Sequence, residues 1–301
     1  MKHWLKAFRL RTLPLSLSCI IMSSTLAAKN NHFSIEIFIL LIITTTLLQV
    51  LSNLANDYGD AIKGTDNKNR VGPERAIQSG VISRKTMFRA IIINAILSFV
   101  AGMYLVYIAL QEYSFITIFL FIVIGLAAIT AAIKYTMGKN PYGYSGMGDL
   151  FVFIFFGLVG VIGSYFLYAK TIEVSILFPS FTIGLLSAAV LNMNNMRDIN
   201  NDRACNKNTL VVKIGSEKAK KYHAFLIIGA FIFLFVTIIN YNFNGYAVLS
   251  LFPFIVLFKN IKTTWNNSDP QLLDPELKKI ALSTFSISFL LAIVTLFDKL
   301  I

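Results

Sequence analysis

Apolar residues run along this chain in long stretches interrupted by short polar segments. Nine stretches stand out, near 13–28, 35–55, 90–110, 115–133, 149–169, 173–193, 222–240, 243–258 and 280–297. Each approaches the ~20 residues that carry a helix across a bilayer, fewer where the helix tilts or the bilayer thins. The pattern predicts an all-α membrane protein with about nine transmembrane helices in one domain spanning 1–301. Two connecting segments are long, roughly 56–89 and 194–221. Long connections in a compact protein are usually functional or disordered, and these two hold most of the polar residues that need explaining.

Composition agrees. The chain is 56% hydrophobic and only 14% charged, with 26 Phe residues and a mean hydropathy of +0.67. A soluble domain needs more polar surface to cover itself. The net charge of +12 would suggest nucleic acid in a soluble protein. Here the charges sit between apolar runs, where topology and anionic ligands explain them better. With the N-terminus placed in the cytoplasm, 24 of the 27 Lys and Arg residues fall on the inside and only Lys29, Lys170 and Lys299 on the outside. That asymmetry predicts an N-in, C-out bundle in a bacterial cytoplasmic membrane. The basic N-terminus before the run from Leu13 could pass for a signal peptide, but the many later spans favour a retained first helix. Cys19 and Cys205 fit no disulfide or metal spacing, and His3, His32 and His223 do not cluster, so zinc and haem are unsupported.

The second stretch ends in Asn53, Asn56, Asp57, Asp60 and Lys63, spaced to form one stripe if the helix continues. The sixth ends in Asn194, Arg197, Asp198, Asp202 and Arg203, with the two acids at i, i+4. Like charges at that spacing destabilise a bare helix, and carboxylates near the membrane boundary carry a desolvation cost. Two such clusters at one membrane level call for a cation between them. Mg²⁺ suits oxygen ligands shared with substrate phosphates. Lys63, Lys134, Lys139, Arg197, Arg203 and Lys207 lie on the same side and could hold phosphate oxygens. Together these residues read as a diphosphate site. The bland alternative is a pair of solvated helix ends with Asn and Asp as caps.

Four stretches then carry a resemblance. They are Asn53 to Asp66, Arg70 to Arg75, Pro141 to Asp149, and Asn194 to Arg203 followed by Lys207 to Leu210. In this order they make the chain resemble the UbiA superfamily of intramembrane prenyltransferases over essentially its whole length, and within it the branch that acts on 1,4-dihydroxy-2-naphthoate. The resemblance implies nine helices around a central cavity, capped on the cytoplasmic side by the 2–3 and 6–7 loops. It implies Mg²⁺ and diphosphate held by Asn53, Asn56, Asp57 and Asp60 from one motif and Asp198 and Asp202 from the other. The implied reaction replaces the acceptor carboxylate with a polyprenyl chain, releasing CO₂ and diphosphate and giving demethylmenaquinone. The wider superfamily often has another Asp four residues after Asp60, where this chain has Gly64. Asp66 is a candidate to substitute. Tyr135 and Lys139 match the family's Tyr-x-x-x-Lys pair, implying diphosphate contact. They also read as an interfacial Tyr and a snorkelling Lys.

Arg70 and Arg75 could bind the acceptor carboxylate or the diphosphate, since Arg reads planar anions bidentately. Arg11 reads as an inside anchor. Gln78 and Asp149 are further cavity candidates. Gly157, Gly160 and Gly163 read as a helix-packing series. Trp4, Tyr113 and Trp265 read as interface belts, and Lys218, Lys220 and Lys221 as contacts to anionic headgroups. Two other functions compete: prenyl transfer to 4-hydroxybenzoate, homogentisate or a porphyrin, and a cation-coupled secondary transporter. Transporters carry ionisable groups near the midplane, whereas here the acids lie at the helix ends.

Overall fold

The computed structural model describes residues 2–68 and 70–300. A short α1 (Lys2–Phe8) precedes α2 (Leu13–Lys29), with Arg9 at φ 49° forming the turn between them. Then come α3 (Ile35–Lys63), α4 (Arg84–Leu110) and α5 (Phe115–Lys134). The fifth span starts as α6 (Gly148–Val152), widens into a π-helix over Phe153–Gly163, and ends as α7 (Ser164–Ala169). The sixth span, α8 (Leu177–Arg197), leads into the short α9 (Ile199–Ala204) and α10 (Leu210–Ile214). The last three spans are built on α11 (Ser216–Asn240), α12 (Pro253–Asn266) and α13 (Asp274–Leu300). Among the described residues nine helical segments are long and apolar enough to cross a membrane, the number expected from the sequence.

Local chemistry sets the boundaries. The Ser34, Ser83 and Ser114 hydroxyls each accept a backbone N–H three residues on, capping α3, α4 and α5. Gly64 ends α3 at φ 75°, a left-handed conformation that costs glycine nothing. Consequently α3 runs to Lys63 rather than stopping near 55, and its acidic stretch is continuous helix. Within the spans, hydroxyls such as those of Ser23 and Thr25 donate to their own helix's carbonyls, so they need no water in an apolar setting. Side chains such as Phe115 and Ile116 point outward and are exposed, as a lipid-facing surface requires.

The main core joins α2, α8, α11 and α13 through residues such as Met22, Leu26, Ile183, Leu186, Ile227 and Ile287. A second cluster of Leu51, Leu54, Ala76, Ile82, Met87 and Ile91 lies under the loop between α3 and α4 and pins it to the bundle. The Asn53 amide donates to the Phe8 carbonyl, whereas Lys299 reaches Asn31 at the far end of α2. The beginning and end of the described chain therefore lie at opposite ends of the bundle. At the end holding Asn53, hereafter the polar end, three loops meet. Asn201 donates to the Thr65 carbonyl, the Asn208 N–H to the Tyr144 carbonyl, and Lys213 to the Ser145 carbonyl.

The glycine series of the fifth span does less uniform work than its spacing suggests. A Cβ on Gly157 would lie 2.7 Å from the Ser180 carbonyl oxygen and 2.9 Å from the Gly184 Cα. A Cβ on Gly163 would meet only Val159 of its own helix, 4.0 Å away. Gly157→Ala should therefore destabilise by about 1–3 kcal/mol, since backbone cannot rotate out of the way. Gly163→Ala should be close to neutral. Melting temperatures of the two detergent-solubilised variants check this, and equal values would refute the packing account.

Candidate active site at the polar end

A cavity of about 710 Å³ opens at the polar end and runs up between the spans. Its depth is apolar, with Leu41, Met103, Phe121, Phe155, Phe156 and Leu167 among its walls. Its mouth is polar and draws on five separated parts of the chain: Arg9 and Arg11; Asn53, Asn56 and Asp60; Arg70 and Arg75; Asn194, Arg197, Asp198, Asp202 and Lys207; and Asp274.

The centre of the mouth is a buried ammonium between two buried carboxylates. Lys207 Nζ lies 3.8 Å from Asp60 Oδ1 and 3.7 Å from Asp202 Oδ1. Burial alone would pull the Lys207 ammonium down, but Asp60 and Asp202 outweigh it and hold the group well above the usual lysine range. Burial pushes Asp202 up to about 7, against the opposing pull of Lys207, and its Oδ2 has no hydrogen-bond partner among the described residues. Asp60 also accepts from the Tyr144 hydroxyl at 2.7 Å, and Tyr144 pairs with Thr65 at 2.6 Å. Asp202 follows a one-residue break at Asp198 rather than continuing α8, although the Asp202 N–H still donates to the Asp198 carbonyl at 2.8 Å.

Asp198 is clasped by Arg197, with nitrogen to oxygen distances of 2.6 and 3.0 Å, and Arg197 also donates to Asp274 at 2.6 Å and Asn194 at 2.9 Å. Asp274 comes from the start of α13 and was not singled out from sequence. Nor was Arg9. Its left-handed backbone turns it into the cavity wall, where Nη2 is buried without a hydrogen-bond partner among the described residues. Its position in a basic N-terminal run disguised it as an ordinary inside anchor.

Several expected residues do other work. Asp57 is absent from the cavity lining; its oxygens accept the Ala76 and Ile77 backbone N–H groups at 3.1 and 3.3 Å. Here it anchors the α3–α4 loop and does not line the cavity beside Asp60. The reason is angular: at 100° per residue, Asp57 lies about 60° around α3 from Asp60, toward the loop. Asn53 does line the cavity, but its amide donates to Phe8 and Thr12, tying down the N-terminal segment. Asn56 keeps its carbonyl toward Thr136 at 3.3 Å.

Asp66 is buried and ion-paired with Arg70 at 2.9 Å and Arg75 at 3.6 Å. Burial and the nearby Asp60 push its carboxyl up to about 7 despite Arg70. It braces the loop rather than lining the cavity, though Arg70 and Arg75 do line it. Gln78 is likewise a brace, accepting from the Arg75 N–H and donating to the Asn67 carbonyl. Tyr135 lines the cavity. Lys63 does not, lying instead 5.4 Å from the centre of the Tyr144 ring. Lys139 and Arg203 are exposed away from the cavity, so the structure does not bring them into the site. Asp149 faces a different pocket.

Among the described residues no three His, Cys, Asp or Glu side chains come close enough to cage a metal alone. The donors present, Asp60, Asp202 and the Asn56 amide, are hard oxygens around a spot that already favours a cation. They fit an ion that completes its shell with phosphate and water. The two acids of α3 can be told apart without any ligand. Asp57→Asn should speed amide exchange at Ala76 and Ile77 by tenfold or more, since a hydrogen bond to a charged group contributes roughly 1.5–3 kcal/mol. Asp60→Asn should leave those amides protected. Hydrogen exchange read by mass spectrometry decides, and unchanged exchange in Asp57→Asn would refute the anchor.

Comparison with known proteins agrees with this architecture. The sequence profile described as the UbiA prenyltransferase family matches residues 16–275. The chain is 42% identical over 282 residues to the 1,4-dihydroxy-2-naphthoate octaprenyltransferase of Escherichia coli, covering 92% of this chain and 89% of that protein. It is 39% identical over 297 residues to the protein of the same name from Haemophilus influenzae, covering 97% and 95%. In fold it is similar to the UbiA homolog from Aeropyrum pernix, with a TM-score of 0.67, 13% identity and coverage of 95% and 98%. It is also similar to the Archaeoglobus fulgidus UbiA homolog bound to GPP and Mg²⁺, with a TM-score of 0.62, 15% identity and coverage of 96% and 99%. With nine apolar spans and a polar-mouthed cavity at one end, the chain belongs to the UbiA prenyltransferase family.

Proposed function

We propose that the protein transfers a polyprenyl group from polyprenyl diphosphate to 1,4-dihydroxy-2-naphthoate, releasing CO₂ and diphosphate and forming the quinol of demethylmenaquinone. The observation that carries this reading is the bridge of Asp60, Lys207 and Asp202 at the mouth of a deep apolar cavity. It offers a charged end for a diphosphate and a dry channel for its tail. Two relatives that match nearly the whole chain carry the naphthoate activity in their names. The basic bias of the polar end supports a cytoplasmic active site in a bacterial inner membrane. The transporter reading gains no support, because the cavity above the mouth is lined mostly by apolar side chains, the polar ones such as Thr44 and Ser187 being uncharged.

Lys207 and Arg197 face the cavity mouth and hold diphosphate oxygens as charged donors. Asp60 and Asp202, with the Asn56 amide, would hold Mg²⁺ through hard oxygens. When bound, Mg²⁺ neutralises charge building on the leaving group. The allylic C–O bond breaks and its electron pair leaves with diphosphate, while the apolar walls keep water from the allylic carbon. A bond then forms from that carbon to the ring carbon bearing the carboxylate, and loss of CO₂ from that carbon restores the aromatic ring. Arg9, with its unpartnered Nη2 in the wall, is placed to receive the acceptor's carboxylate before it departs.

Membranes containing the protein, given 1,4-dihydroxy-2-naphthoate, a polyprenyl diphosphate and Mg²⁺, should yield prenylated product by mass. EDTA should abolish it. Asp60→Asn and Asp202→Asn should each lower the rate by about 10²-fold or more, the scale for losing charge stabilisation at a transition state. Product from 4-hydroxybenzoate alone would overturn the acceptor, and full activity in EDTA would overturn the metal.

Cavity depth gives a second check. Gly163 lines the cavity roughly 20 Å along the fifth span from its polar end. Gly163→Met should shorten the longest tail accepted, read as a shift in product length from a mixture of diphosphates. An unchanged distribution would place the tail elsewhere.

A further inference from the structure

A second pocket, of about 290 Å³, lies on the opposite side of the fifth span from the central cavity, between that span and α8 and α11. Along the start of the span the two cavities alternate. Phe151, Val152 and Phe155 face the central cavity, and Asp149, Leu150 and Phe153 face the second pocket. The remaining walls include Leu185, Ala188, Tyr222, Phe225 and Leu226. Leu150 is 52% and Phe225 65% exposed, and both lie on membrane-spanning segments, so the mouth opens sideways into lipid.

Asp149 is the one charged residue lining this pocket. It is only 4% exposed, and neither carboxylate oxygen accepts a hydrogen bond from another described residue, leaving its own backbone N–H as the one donor beside it. A buried carboxyl without partners costs free energy unless something occupies it. Three features define the occupant: an apolar aromatic wall, lateral access from lipid, and a lone hydrogen-bond acceptor. They suit a flat apolar ring carrying a hydroxyl donor. They disfavour an anion, which the carboxylate would repel.

We infer that this pocket binds an uncharged, membrane-dissolved quinol, with Asp149 accepting a hydrogen bond from one ring hydroxyl. The inference rests on the proposed activity in one respect: decarboxylation turns an anionic acceptor into a neutral prenylated quinol, so Asp149 discriminates product from substrate by charge. The two cavities are separated by a thin, closely packed wall. Gly148 packs against Tyr135 and Leu191, both in the central cavity wall, where an added Cβ would lie 3.2 and 3.1 Å from them.

The test uses the full chain in phosphatidylcholine nanodiscs with EDTA and no diphosphate. The probe is a reduced, prenylated naphthalene-1,4-diol bearing a photoreactive diazirine. Labelling should map to residues 146–153 and 222–226. Asp149→Leu should raise the half-saturating concentration about tenfold, the scale of one lost hydrogen bond to a charged group. Asp149→Asn, which keeps an accepting oxygen, should bind more tightly than Asp149→Leu. Leu150→Trp, at the exposed mouth, should also reduce labelling without disturbing the core. Unlabelled 1,4-dihydroxy-2-naphthoate should compete poorly. Equal labelling in wild type and Asp149→Leu overturns the inference. So does displacement of the probe by phosphatidylethanolamine, which would make the occupant an amine-headed lipid. The assay involves no prenyl transfer, so failure of the proposed reaction leaves its outcome readable.

Discussion

Everything at the polar end depends on one electrostatic arrangement, a buried lysine held between aspartates from distant parts of the chain. Asp60 belongs to α3, Asp202 to α9, and Lys207 to the turn that follows. None of the three is tolerable alone at that depth, because each buried charge carries a desolvation penalty of several kcal/mol. Together they fix the distance between the two acidic segments and hence the width of the cavity mouth. Tyr144, which donates to Asp60 and pairs with Thr65, brings the third loop into the same constraint. The bridge is also provisional. In the proposed reaction a diphosphate would offer Lys207 a stronger partner, and a divalent cation would offer the aspartates one.

The rest of the bundle keeps that arrangement dry above and shielded at its edges. The long cavity is mostly apolar, and hydroxyls in the spans such as those of Ser23 and Thr25 are turned back on their own helix. At the edge, the α3–α4 loop is held by charge as much as by packing. Asp57 takes two of its amides, Asp66 takes two of its arginines, and Ala76 and Ile82 sink into a small core. The acidic residues of this region therefore divide into those that face a ligand and those that hold the wall facing it.

That division explains what the sequence could and could not show. Span number was legible because hydrocarbon imposes a length that few other environments do. The two acidic stretches were legible because paired carboxylates at a membrane boundary demand a cation. Assignment within a stretch was not, since Asp57 and Asp60 share composition and neighbourhood and differ only by a rotation around α3. Arg9 was masked by its basic neighbours, and only its left-handed turn sends it inward. Asp274 reached Arg197 from 77 positions away, a pairing that depends on how the last helix packs. Lys139 and Arg203 matched in spacing but project outward.

The π-helical stretch of the fifth span separates the central cavity from the lateral pocket over part of its length. Its hydrogen bonds close five residues apart instead of four, so each turn holds a surplus of backbone relative to the helices around it. A partition of that kind has slack. It can give up one wide turn and shift the side chains beyond it around the axis while the span stays pinned midway, at Gly157 against α8, and at its end, at Lys170 in its left-handed stop. The wall between the two cavities is thus the one span in this bundle whose register is adjustable, and evolution can retune what passes beside it by adding or removing a single residue there.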